Sequence, residues 1–241
     1  MNEDKLHEGE NFLLFDKAYI SEFVYGGIDG AITTFAVVAG AAGAEAAIHW
    51  VLIFGFANLI ADGFSMSVGN YFAVKSERDN YNNHVKIEYW EIKNLREKEV
   101  EEIREIYENK GFKGKLLDQV VEVITSNDDV WVDTMMKEEL EMTKDSRAPF
   151  KTAFATFLSF NVIGIIPLLV YVVAIFVEFD TASLFPISCI GTGIALMIVG
   201  YMRGSVTRTN KFKSVIQTVL LGGIAAFLAY FVGELLAKYF L

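Results

Sequence analysis

The separation of charged residues from long apolar segments constrains the fold of this chain more than any other feature. Charges crowd into residues 1–22 and 75–151, and five segments elsewhere are strongly apolar. These segments are residues 24–44, 50–74, 153–177, 184–202 and 215–237. About 20 helical residues, at about 1.5 Å each, cross the roughly 30 Å hydrocarbon core of a bilayer. The sequence therefore predicts an all-α, polytopic membrane protein with five transmembrane helices.

The basic residues predict the orientation of these spans. Of the 21 Lys and Arg residues, 20 lie in the N-terminal tail, in residues 75–151 or in the loop 203–213. Lys and Arg near the ends of spans stay on the cytoplasmic side. We therefore expect an integral membrane protein whose N-terminus and 76–150 insert are cytosolic. No sorting signal is legible, so a vacuolar and a cell membrane both stay open.

The overall composition disfavours several classes of partner. A net charge of −10 argues against nucleic-acid binding, because phosphate contacts need clustered Lys and Arg. Cys189 is the only cysteine, so one chain forms neither a disulfide nor a cysteine zinc site. An acidic chain of this kind suits metal cations better.

Two aspartates lie within the predicted spans, where an ionised carboxylate costs at least about 2.5 kcal/mol. Asp29 in the first span and Met66 in the second lie at similar predicted depths, roughly 10 to 12 Å from the cytosolic end. Asp62 lies one turn deeper, on the face of the second span that carries Met66. Carboxylate and thioether ligands together suit a borderline cation such as Fe²⁺. The three residues are a candidate transport path, with capping aspartates and a core methionine as the alternative.

The insert between the second and third spans carries paired glutamates. Residues 76–150 are predicted to be helical and hold 19 acids against 12 Lys and Arg, a net charge of −7. Glu88 pairs with Glu91, and Glu99 with Glu102, at a three-residue spacing. On one helix all four fall within an arc of about 80° that also carries apolar residues, whereas a solvated run places its acids opposite that stripe. The pattern favours buried or half-buried metal ligands.

The number of metal sites in the insert depends on a bend. One straight helix would place Glu88 and Glu102 about 21 Å apart, which is too far for a single ion. A bend between Glu91 and Glu99 is therefore required if all four glutamates converge. Without it, the two pairs form separate sites.

A second group of candidate ligands lies in residues 131–142. Met135 and Glu139 are four residues apart and share one helix face, and Met136 is adjacent. A thioether pair beside a carboxylate would add soft ligands to a hard glutamate site. Ordinary core packing of the two methionines is the alternative.

Small residues predict close helix contacts in the membrane. Gly26 and Gly30 in the first span, and Ser65 and Gly69 in the second, have the four-residue spacing of closely packed helices. We therefore expect the first two spans to pack tightly. Five helices are few to enclose a polar path, which favours a homo-oligomer with the path at its interface.

The chain resembles the vacuolar iron transporter family over nearly its whole length. The most specific stretches are YGGIDGAITTFAVVAG around Asp29, SMSVGNYFAVKSERD from Ser65 to Asp79, and the glutamate-rich insert that ends in WVDTMMKEEL. The resemblance implies a five-span protomer that dimerises, with a cytosolic helical metal-binding domain, and it implies Fe²⁺/H⁺ antiport. The family's membrane-path residues match Asp29 and Met66. Its domain ligands match Glu88, Glu91, Glu99, Glu102, Met135, Met136 and Glu139.

The combined prediction is a transporter, not an enzyme, that moves Fe²⁺ out of the cytosol by proton antiport. Mn²⁺, Zn²⁺ and Co²⁺ are further candidate ions, and no prosthetic group is expected. Two alternatives are a membrane-anchored metal sensor and a di-iron oxidase, although the Glu-x-x-His pairs typical of bundled di-iron enzymes do not occur. Four regions are predicted: the cytosolic N-terminal segment 1–22, spans one and two in 23–75, the metal-binding domain 76–150, and spans three to five in 151–241.

Overall fold

A computed structural model of the chain describes residues 19–177 and 179–240. Within these residues the secondary structure is helical and contains no strand, which confirms the all-α prediction. The helices, in chain order, are α1 Ile20–Gly43, α2 Ile48–Asn94, α3 Arg96–Asn109, α4 Gly114–Thr125, α5 Asp128–Glu138, α6 Pro149–Gly164, α7 Ile166–Val173, α8 Thr181–Val206 and α9 Lys211–Phe240.

Four of these helices are individually long and apolar enough to cross a membrane, namely α1, α2, α8 and α9. The pair α6 and α7 meets the same test jointly, and the two helices are bent by 45°. The described part of the chain therefore has four such helices, or five if the bent pair counts as one span. This confirms a polytopic membrane protein.

The third predicted span is not one straight helix. Residues 153–177 were predicted as a continuous span, but α6 ends at Gly164, and α7 runs only from Ile166 to Val173. Pro167, in the first turn of α7, explains the break, because proline has no N–H to donate and its ring clashes with the preceding turn.

The chain divides into two compact units. The first unit comprises Met1–Tyr71 with Arg147–Leu241, and the second is Phe72–Ser146, so the division falls within α2. The second unit overlaps the predicted 76–150 domain over residues 76–146. Of the predicted N-terminal segment 1–22, residues 1–18 lie outside the described residues.

In the first unit, the glycines of α1 face α6. A Cβ on Gly26 would lie 2.7 Å from the carbonyl oxygen of Thr156, and a Cβ on Gly30 would overlap that of Phe160. The sequence predicted that these glycines would pack against the second span, and that prediction was wrong. Gly69, the matching glycine of α2, has open space around it. Small-residue spacing indicates close approach but does not identify the partner helix.

The second unit has its own hydrophobic core. Its largest fully buried side chains are Trp131, Ile103, Met135 and Met136, contributed by α3 and α5. The same cluster also contains Val132 of α5, Ile92 near the end of α2, and three residues of α4, namely Leu117, Val121 and Ile124. This core holds the last turns of α2 against α3, which positions the glutamates described next.

Candidate metal centre

A break in the helix at Leu95 brings the two glutamate pairs together. Helix α2 ends at Asn94 and α3 begins at Arg96, and Leu95 between them has non-helical backbone angles of φ −126° and ψ 31°. The bend that the spacing requires between Glu91 and Glu99 is therefore present.

Arg96 holds this bend to the rest of the second unit. Its guanidinium donates a hydrogen bond of 3.0 Å to the carbonyl oxygen of Thr125, at the end of α4. The same group lies 4.9 Å from the ring centroid of the buried Trp131 in α5. These contacts connect the first residue of α3 to both following helices.

Three glutamates converge at the bend. Glu88, Glu91 and Glu99 each offer one carboxylate oxygen, and these oxygens all lie within 4.8 Å of one another. Oxygens that share one transition-metal ion at about 2.1 Å lie roughly 3 to 4.2 Å apart, so small side-chain movements suffice to bind an ion. We refer to these three residues as the glutamate cluster.

Two members of the glutamate cluster are deeply buried, and each has one carboxylate oxygen that lacks a hydrogen-bond partner among the described residues. Glu88 is 3% exposed and Glu99 is 1% exposed. In each, the Oε2 atom has no hydrogen-bond partner among the described residues. A buried carboxylate oxygen is costly unless a proton, a donor or a cation satisfies it. The donor set therefore fits a divalent cation.

The electrostatics of the glutamate cluster favour cation binding near neutral pH. Desolvation by burial, followed by the negative charges of Glu139, Glu91, Glu99 and Glu102, raises the pKa of Glu88 to about 7. Desolvation and the charges of neighbouring glutamates also raise the pKa of Glu99 to about 7. Both shifts reflect crowded negative charge with too little solvent, which a divalent cation would relieve.

Glu102 and Glu139 lie beside the glutamate cluster but outside the group of three. Glu102 accepts a hydrogen bond of 2.8 Å from Lys98. Glu139 follows α5, and its pKa is raised by desolvation and then by the charges of Glu102 and Glu91. Both carboxylates are therefore near enough to act on the cluster electrostatically. Their role as metal ligands stays a prediction.

The two predicted methionine ligands lie in the core of the second unit. Met135 and Met136 are fully buried and belong to the cluster that contains Ile92, Ile103 and Trp131. Such packing is a common role for methionine, because its unbranched side chain fills irregular gaps. Ligation of a metal by either sulfur stays a prediction.

The candidate transport residues lie in the first unit. Asp29 on α1 and Asp62 on α2 are both half-buried, and their charges are close enough to repel each other. Met66 is also half-buried and packs against a core cluster that includes Leu59 and Phe160. The structure thus brings the two aspartates near each other and leaves Met66 partly in core packing.

Further polar groups extend this region. Nδ2 of Asn58 lies 3.5 Å from Oγ1 of Thr33, and these residues lie one helical turn from Asp62 and Asp29 respectively. Sequence reasoning missed Thr33, although its four-residue spacing from Asp29 is a usable signal. It also missed Lys98, whose signal is the four-residue spacing from Glu102.

Comparisons with known proteins place the chain in a family. The profile of the VIT family matches residues 20–234. The vacuolar iron transporter of Toxoplasma gondii is 34% identical over 235 residues, which cover 94% of this chain and 77% of that protein. Vacuolar iron transporter 1 of Tulipa gesneriana is 34% identical over 93% of this chain and 89% of its own length. The vacuolar iron transporter of Plasmodium falciparum is 34% identical, with coverages of 95% and 85%. From this profile match and these relatives, we conclude that the chain belongs to the VIT family.

Proposed function

We propose that this protein transports Fe²⁺ out of the cytosol in exchange for protons, and that residues 76–150 form a cytosolic domain that collects the ion. The observation that carries the proposal is the glutamate cluster, in which three carboxylates converge and two buried oxygens lack a partner. The choice of iron as the transported ion is based on relatives that are named vacuolar iron transporters.

The ligand chemistry supports Fe²⁺ as the principal ion. Carboxylate oxygens bind hard and borderline divalent ions, and both Fe²⁺ and Mn²⁺ belong to this group. Thioether ligation by Met135 or Met136 would shift selectivity toward softer ions, including Co²⁺ and Zn²⁺. The glutamate cluster contains no histidine, which disfavours the di-iron oxidase alternative.

Proton exchange follows from the carboxylates of the transport path. A carboxylate holds either a proton or a metal ion, so binding of one releases the other. We propose that Asp29, with Met66 and Asp62, accepts Fe²⁺ within the membrane and returns protons in the opposite direction. A homodimer would place this path at an interface and enclose it more completely than one protomer.

Transport in proteoliposomes with an imposed pH gradient tests the proposal. We expect Asp29→Ala to abolish Fe²⁺ flux and the opposing proton flux, because the path then lacks its first carboxylate. Asp79→Ala is the matched control, since Asp79 is an exposed aspartate of the second unit. Unchanged Fe²⁺ flux in Asp29→Ala would remove Asp29 from the path. Oxygen consumption with Fe²⁺ and no transport would favour the oxidase instead.

A further inference from the structure

A lysine lies directly beside the glutamate cluster. Lys98 is in the first turn of α3, and its Nζ donates a hydrogen bond of 2.8 Å to Oε1 of Glu102. The Lys98 side chain is 65% exposed, whereas that of Glu102 is 26% exposed. The ammonium group therefore approaches a half-buried carboxylate from the solvent side.

Glu102 connects this lysine to the glutamate cluster. The negative charge of its carboxylate raises the pKa of the buried Glu99. The charge of Lys98 also acts on Glu91, Glu99 and Glu139. Lys98 is thus a positive charge placed where several carboxylates already converge.

The position of Glu102 differs from that of the other three predicted ligands. The glutamate cluster shares a volume in which its oxygens lie within 4.8 Å of one another, and Glu102 is not part of that group. The Glu102 oxygen that accepts from Lys98 is directed toward the ammonium. An ion bound jointly by Glu102 and the glutamate cluster would compete with Lys98 for the negative charge of this carboxylate.

We propose that Lys98 is a built-in competitor of the metal ion, which draws Glu102 away from the glutamate cluster and repels the entering cation. This inference rests on the proposed function, because it takes the cluster as the binding site of the transported ion. Its consequence is a site of moderate affinity that releases its ion readily. A carrier domain needs this property, whereas a storage site does not.

The size of the effect follows from Coulomb's law. A unit charge about 6 Å from a divalent cation, in a water-like medium, weakens binding about tenfold. Salt would reduce this effect, because the screening length falls from about 8 Å at physiological ionic strength to about 3 Å at 1 M.

Fe²⁺ titration calorimetry under anaerobic conditions, on the full-length protein in detergent, tests the inference. The part of the binding heat that is present in the parent and absent in Glu99→Gln is assigned to the glutamate cluster. We expect Lys98→Met to bind Fe²⁺ about tenfold more tightly at low salt, and we expect the difference to shrink in 1 M NaCl. In transport assays, the same variant should saturate at lower Fe²⁺ and show a lower maximal flux.

Two controls separate competition from a general change in charge or folding. Lys110→Met also removes one lysine that is paired with a glutamate, because Lys110 lies 2.5 Å from Glu138. Lys110 is about 18 Å along the helix from Lys98, beyond the screening length. Lys98→Arg retains the charge. Both controls should keep an affinity close to that of the parent.

The outcomes distinguish this inference from the proposed function. If Glu99→Gln removes no Fe²⁺ binding from the parent protein, the glutamate cluster is not a metal site. That result would overturn the proposed site and the inference together. Parent protein that binds Fe²⁺, with equal or weaker binding by Lys98→Met, would overturn the inference alone. Weaker binding would mean that Lys98 orients Glu102 for the ion instead of competing with it.

Discussion

At the scale of single residues, burial determines the chemistry of the glutamate cluster. Glu88 and Glu99 are acidic residues with almost no exposed surface, whereas Glu97 and Glu101 on the same stretch of chain are exposed. Within α3, Glu97 and Glu101 share one face and Glu99 lies opposite them, because helical geometry fixes which residues share a face. Composition alone does not make that distinction.

Fe²⁺ binding is expected to strengthen as pH rises toward neutrality. The pKa values of Glu88 and Glu99 are raised to about 7, so below pH 7 protons occupy the oxygens that a cation needs. Affinity should increase between pH 5.5 and about 7, by up to about tenfold per pH unit for each carboxylate that must lose its proton, and then level off. Calorimetry in buffers of different ionisation enthalpy would measure the protons released.

Two variants check the origin of this pH dependence. Glu99→Gln should weaken Fe²⁺ binding and reduce its dependence on pH, because one titrating ligand is lost. Glu97→Gln removes an exposed carboxylate of the same helix and should leave the pH dependence in place. Equal affinity of the parent at pH 5.5 and pH 7.5, without proton release, would contradict the prediction.

At the scale of elements, breaks and close approaches between helices position the functional residues. The non-helical Leu95 allows Glu91 and Glu99 to meet, and Arg96 connects this bend to α4 and α5. In the first unit, α1 carries Asp29 and packs against α6 so closely that their backbones are in contact. The contacts of Arg96 and the approach of α1 to α6 join segments that are distant in sequence.

The contact between α1 and α6 should not tolerate a methyl group at Gly30. A Cβ there would overlap the carbonyl oxygen of Phe160, and backbone cannot move aside as a flexible side chain can. Gly30→Ala is expected to destabilise the protein by about 1 to 3 kcal/mol through overpacking. Thermal stability followed by fluorescence-detected size exclusion would measure the loss.

Gly69→Ala is the matched control for this prediction. Gly69 is a helical glycine of α2 with open space around the Cβ position. Alanine also has a higher helix propensity than glycine, so Gly69→Ala should leave the protomer as stable or slightly more stable. A Gly30→Ala protein with the melting temperature of the parent would show that α1 and α6 are not in such close contact.

At the scale of the whole molecule, the chain contains two units of opposite polarity. The first contains the apolar helices and the second contains the glutamate cluster. Under the proposed function, the second unit raises the local supply of Fe²⁺ and the first moves it. A membrane-anchored sensor is the competing assignment, and it leaves the half-buried aspartates Asp29 and Asp62 without a role.

Deletion of residues 80–145 separates these assignments. A transporter without its collecting domain should keep a slow Fe²⁺ flux that requires higher Fe²⁺ to saturate, because Asp29 and Met66 remain. A sensor should show no flux with or without these residues. Glu99→Gln, which keeps the domain but impairs the glutamate cluster, should shift saturation in the same direction as the deletion. Loss of all flux on deletion, with Glu99→Gln fully active, would contradict a collecting role.

Much of the fold follows from the sequence by itself. Span number, helical class and the acidic insert depend on properties that add along the chain, namely apolar length, charge and helical period. The helical period also predicts that the four glutamates share an arc with apolar residues. Such local patterns can be recognised without knowing which segments are in contact.

Only the tertiary structure decided which groups meet. It placed the bend at Leu95, gathered Glu88, Glu91 and Glu99, and packed Arg96 against α4 and α5. It also directed the glycines of α1 toward α6. These outcomes arise because packing between distant segments selects one of several partners that the same local pattern allows.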